Sequence, residues 1–126
     1  MTDAELDAWL AVNAMGWHRG KTPHTSFWYI AADGTNTGWL ANDWSPRTDA
    51  RCTEVLMARL TEPRMDPQDR TRGWRISIKS SPSGWYATLS EVNTPAGYGI
   101  FTAVAPDWKD AVCQAAKKAL EESNDS

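Results

Sequence analysis

Residues 74–90, WRISIKSSPSGWYATLS, decide the fold. Trp74, Ile76 and Ile78 alternate with Arg75, Ser77 and Lys79. After the turn-forming SSPSG at 80–84, Trp85, Ala87 and Leu89 alternate with Tyr86, Thr88 and Ser90. A period of two marks a half-buried antiparallel strand, with one face toward a core and the other toward water. Residues 98–104, YGIFTAV, read as a third strand, so a three-stranded meander is expected.

Helical periodicity appears on both sides of this meander. From Pro106 onward, Trp108, Ala111, Val112, Ala115, Ala116, Ala119 and Leu120 recur at steps of three and four. The many alanines imply close approach to whatever this helix covers. Asp107 and Asp110 at its start and Lys117 and Lys118 near its end suit the helix dipole, and residues 121–126 are expected to fray. Residues 3–15 read as a first helix, with Thr2 and Glu5 at capping-box spacing, an apolar stripe of Leu6, Trp9 and Leu10, and Gly16 as its stop. A middle helix is expected to open at Ser45-Pro46, with Ser45 as N-cap and Asp49 in its first turns, and to end before Pro63. Ser26–Ala32 and Trp39–Asn42 flank the turn cluster at 33–38 and suggest a hairpin. The expected fold is therefore one α+β domain over residues 1–126. An antiparallel sheet with a hairpin and a three-stranded meander packs against three helices in a layered sandwich.

The chain has 126 residues, enough to bury a core without staples. No apolar run approaches the roughly 18 residues of a membrane span, and the acidic start MTDAELDAWL is unlike an export signal. Cys52 and Cys113 then read as reduced, buried thiols. Net charge is −3, and residues 17–79 are the mildly basic part, with ten bases and seven acids. Tight duplex DNA binding needs a stronger positive field, so it is not expected. Eight tryptophans are more than one small core is expected to absorb, which points to a groove or interface and to a homo-oligomer.

Three stretches are candidate sites. The presumed helix start offers free N–H groups to an anion, with hydroxyls from Ser45 and Thr48, charge from Arg47 and a flat surface from Trp44. Trp17 and His18, with Arg19 and Lys21 behind them, interleave aromatic and basic groups. Arg75 and Lys79, near Arg72, share one strand face with Tyr86 and Thr88 across from it. Each stretch also has a plain reading, as a capped helix, a core tryptophan or a solvated face. They gain weight if the fold brings them together into one pocket. His18 and His24, six apart, do not suggest a zinc site, and no phosphate loop, nucleophile elbow or metalloprotease motif occurs; no cofactor is implied.

The order of Met15-Gly16-Trp17, the Trp44–Asp49 segment WSPRTD, and Ala105-Pro106 leading into the 111–120 helix resembles the phage ABA sandwich domain. This resemblance implies a phage protein of the host bacterial cytoplasm, with helices packed on a sheet. With the tryptophans and the basic middle, the expectation is an accessory protein that binds a small anionic ring-containing host molecule such as a nucleotide immune signal, and so can sequester it. The alternatives are a module that grips a host or phage protein through exposed Trp, a small hydrolase using His18 with Asp43 or Asp49, and a nucleic-acid binder.

Overall fold

A computed structural model describes residues 2–20, 28–66, 68–92 and 99–124. In chain order the elements are α1 (Asp3–Asn13), β1 (His18–Arg19), β2 (Trp28–Ile30), β3 (Asn36–Leu40), a 3-10 turn (Ala41–Asp43), α2 (Ala50–Thr61), β4 (Trp74–Ser81), β5 (Gly84–Glu91), β6 (Ile100–Ala105) and α3 (Trp108–Asn124). The expected meander is β4-β5-β6, antiparallel throughout, with Ile76 opposite Leu89 and Leu89 opposite Phe101. The expected hairpin is β2-β3, and these two pair with β1 in a second, separate sheet. The result is the α+β sandwich that the sequence pattern calls for.

All three helices lie to the inner side of the larger sheet. There α3 covers β5 and β6, α2 reaches β4, and α1 packs on α3. Ala111, Val112, Cys113, Ala115, Ala116, Ala119 and Leu120 are all essentially excluded from water. Buried positions at 111, 112, 113, 115 and 116 are too closely spaced for one face of a helix. So α3 is covered from two sides, by the sheet and by α1 and α2, and its small side chains let both neighbours approach. Helical backbone continues to Asn124, past the end of the apolar stripe at Leu120.

Local chemistry fixes the helix ends. Thr2 caps α1 by accepting the Glu5 N–H at 3.2 Å. Gly16, at φ +72°, turns the chain out of α1, and the Trp17 N–H returns to the Ala11 carbonyl at 2.9 Å. The expected start of the middle helix is corrected. Ser45 does not cap it; its carbonyl accepts the N–H groups of Thr48 and Asp49 in a tight turn. The helix begins at Ala50, and Asp49 is its N-cap, accepting the Arg51 N–H at 3.0 Å. Asp caps as well as Ser does, so the pattern offered two starts. Packing chose between them, because Trp44 and Pro46 are both buried.

Two further differences concern strands. His18–Arg19 reads as loop from sequence, since two residues carry no period, yet it pairs with Tyr29–Ile30. The second strand of the hairpin starts at Asn36 rather than Trp39, inside the turn-rich cluster. Its register slips by two residues against β2, and Gly38 there adopts φ +80°. The parts of the expected strands at residues 26–27 and 98, together with His24, Lys21 and residues 125–126, lie outside the described residues.

Ala115→Asp or Ala116→Asp places a carboxylate where neither the sheet nor α1 offers it a partner, which costs several kcal/mol, about what a domain of this size can lose. Each variant is expected to lose its cooperative thermal transition by circular dichroism. Parent-like melting of either would mean that α3 is not the buried helix of the domain.

Candidate functional site

The smaller sheet and α1 enclose a cluster of aromatic rings. Trp17 meets Trp44 at 4.8 Å between centroids and Tyr29 at 5.7 Å, and Trp39 meets Trp44 at 5.8 Å. Trp44 is 2% exposed and its indole N–H donates to the Asp7 carbonyl at 3.0 Å. Two of the expected site residues, Trp17 and Trp44, are thus brought together, but as mutual packing partners. Trp44 has no free face on which a ligand ring could stack. Of the eight tryptophans Trp28 is exposed and the others are buried or half-buried. The core absorbs more of them than their number suggests, because Trp17, Trp39 and Trp44 pack edge to face against one another.

Arg47 is also spoken for. Its Nε donates to Asp110 at 2.8 Å and a terminal nitrogen meets Asp3 at 2.9 Å. With the side chain 11% exposed, the guanidinium ties the 45–49 turn to α3 and to the start of α1. Its bond to Asp110, then that to Asp3, hold its pKa above the usual arginine value. Ser45 and Thr48 remain in the turn between Trp44 and α2, and the free N–H groups expected after Ser45 are absent because the helix starts later. An anion site at this point is therefore corrected: its cation is neutralised by two carboxylates, and the true helix start carries its own carboxylate, Asp49.

The remaining expected site residues lie elsewhere. His18 is exposed on β1 and its ring has no hydrogen-bond partner among the described residues, so nothing orients it as a general base. The Asp49 carboxylate is engaged by Arg51. Arg75 and Lys79 are exposed on β4 and face away from the helices. Among the described residues none packs on the outer face of the larger sheet, where Ser77, Thr88 and Thr102 form a row down the middle with the Thr88 and Thr102 hydroxyls 3.1 Å apart. The single composite pocket does not form, since Arg75 and Lys79 stand on the opposite side of the sheet from Trp17 and Trp44.

Two grooves do exist on the helix side. The smaller, about 310 Å³, opens between α1 and the small sheet over Asp7, Arg19, Tyr29, Asn42 and Ser45. Burial pushes the Asp7 carboxyl up to about 6, against a backbone N–H from Arg47 that pulls the other way. Its Oδ1 is buried with no hydrogen-bond partner among the described residues.

The larger groove, about 610 Å³, is within the usual size for a small-molecule site. Met15, Trp17, Ala31, Val55 and Ala58 give it apolar walls, and Asp33, Arg59, Glu62 and Arg72 stand in or around it. Arg72 is bound by Glu62 at 2.7 Å and by Asp69, and Asp33 accepts from the N–H and hydroxyl of Thr35. Arg59 differs. Among the described residues its guanidinium makes no hydrogen bond and no ion pair, and its Nε is shut off from water. Burial first, and Arg72 beside it second, push its pKa below the usual arginine value. Periodicity does not single out Arg59, because a residue's type does not reveal that its partner is missing.

Among the described residues no group of three or more His, Cys, Asp or Glu is placed to hold a metal, and no helix is long and apolar enough to cross a membrane. No protein-family model, no curated protein and no solved structure matches the chain.

The Asp7 carboxyl yields a pH prediction. Its folded pKa, about 6, lies above its ordinary value of 3.8, so the unfolded chain gives up this proton first. Ionisation then favours unfolding as pH rises from about 4 to 6, and the penalty persists above that window. The carboxyl is only half-buried, so solvent screening reduces the effect to on the order of 1 kcal/mol. Relative to the parent, Asp7→Asn should gain that much stability between pH 4 and pH 7 in urea melts. A difference that stays flat with pH would show that Asp7 ionises as freely in the folded chain as in the unfolded one.

Proposed function

We propose that the chain is a binding protein that holds a small, singly anionic, ring-bearing molecule in the Arg59 groove. The observation behind this reading is the unpaired guanidinium on an apolar wall. Its Nε is buried without an acceptor among the described residues, and a buried donor left unsatisfied costs about 1–3 kcal/mol. A carboxylate or phosphodiester would supply the missing acceptor, and Trp17, Met15 and Val55 would meet the apolar body of the same molecule. Asp33 and Glu62 on the rim repel further negative charge, which argues against di- and triphosphates.

In the setting that the resemblance implies, a phage accessory protein in a bacterial cytoplasm, the occupant is a host metabolite or cyclic-nucleotide type of signal, held rather than cleaved. The reading keeps Trp17 from the expected site and replaces Arg47, Arg75 and Lys79 with Arg59 as the anion's partner.

The test is a titration followed by tryptophan fluorescence, with cyclic AMP, benzoate, indole-3-acetate and ATP as probes. At least one monoanion is expected to bind more tightly than ATP. Arg59→Ala should weaken it at least tenfold, about 1.4 kcal/mol, while Arg75→Ala leaves it unchanged. Circular dichroism checks that both variants fold. Binding that survives Arg59→Ala, or no binding by any monoanion, would remove the groove from consideration.

Duplex DNA is not expected to compete. With a net charge of −3 and its cations scattered, the protein should show no nanomolar affinity for a 20-base-pair duplex at physiological salt in fluorescence anisotropy.

A further inference from the structure

The open face of the larger sheet is independent of the groove. Its outer rows run Lys79–Tyr86–Val104 and Arg75–Ser90–Ile100 across the three strands. Cations thus occupy the β4 edge and aliphatic side chains the β6 edge. Ile100 is 52% exposed and Val104 49%, and Tyr86 is exposed between the strands' two edges. Arg75 and Lys79 have no ion-pair partner among the described residues, and these cross-strand rows contain no carboxylate. An open antiparallel face is ordinary when it is polar. On this face β4 presents cations on either side of Ser77 and β6 presents aliphatic side chains on either side of Thr102, so the arrangement has a direction; Lys118 reaches the β6 edge from α3 and is held there by the Thr102 carbonyl at 2.9 Å.

We propose that this face docks an acidic amphipathic helix of a partner protein. Three strands spaced about 4.8 Å present a platform roughly 14 Å wide and 18 Å long. One α-helix with its side chains is about 10–12 Å wide, and about 12 residues span 18 Å. The platform therefore takes one helix. A facing second copy would add cations without supplying any carboxylate. Two cations are also too few to hold a nucleic-acid backbone on a chain of net negative charge. The helix would lay an apolar stripe over Tyr86, Ile100 and Val104 and turn carboxylates toward β4. Arg75 and Lys79 are four strand residues apart, about 13 Å, which two helical turns match at about 11 Å. The carboxylates would therefore sit seven or eight residues apart.

The experiment uses the full chain, labelled with nitrogen-15, and a synthetic 16-residue helix with a leucine stripe and two glutamates eight apart. A second peptide carries lysines in place of the glutamates. The acidic peptide is expected to shift the amides of residues 75–79 and 100–104 saturably, leaving those around Arg59 unmoved. Arg75→Glu with Lys79→Glu should weaken it at least fivefold and favour the lysine peptide instead, a reversal that misfolding would not produce. Equal binding of both peptides by the parent, shifts confined to other surfaces, or no saturable shift would overturn the proposal. So would concentration-dependent shifts of the same residues without peptide, which would assign the face to a second copy.

Discussion

A helix covered on two sides must carry mainly small side chains there, and most of this architecture follows from that constraint on α3. Alanine and cysteine bring the sheet and α1 close to its axis, so its apolar positions spread over more than one face. The strands beneath answer with Ala87, Ala103 and Ala105 alongside Leu89 and Trp74. Bulk excluded from this seam collects elsewhere. Trp17, Trp39 and Trp44 gather beneath the small sheet, while Trp74 meets Phe101 edge to face and gives its N–H to the Arg70 carbonyl at 2.8 Å.

The irregular segments are held mainly by arginine. Arg47 joins three parts of the chain through two carboxylates. Between α2 and β4, Arg64 donates twice to the Arg72 carbonyl, Arg70 pairs with the buried Glu91 carboxylate, and Arg72 bridges Glu62 and Asp69. A planar, always-charged group with several donors suits loops that lack apolar side chains. Against this background of engaged guanidiniums, Arg59 stands apart.

The meander, the alanine helix and the Thr2 cap were legible because each is written in consecutive residues. Alternation in 74–90 and steps of three and four in 108–120 report burial directly. The start of α2 was less legible, since Ser45 and Asp49 both satisfy the local rule and the burial of Trp44 and Pro46 decides between them. The candidate site was mostly illegible. Residue type placed Arg47 and Trp44 among possible ligand contacts, whereas Asp3, Asp110 and the Asp7 carbonyl had already claimed them across 37 or more residues of chain. Sequence shows what a side chain can do, and long-range packing determines whether it is still free to do it.

The position of α1 also bears on how the chain is made. Its apolar stripe is buried against α3, and the Arg47 link to Asp110 spans 63 residues. A ribosome releases α1 before α3. Until α3 has emerged, Leu6 and Leu10 have nothing of it to cover them, whereas β4, β5, β6 and α3 follow one another along the chain and contact their neighbours. Local contacts form faster than distant ones. The segment from β4 to α3 is therefore the natural nucleus, and α1, which is made before it, is packed after it.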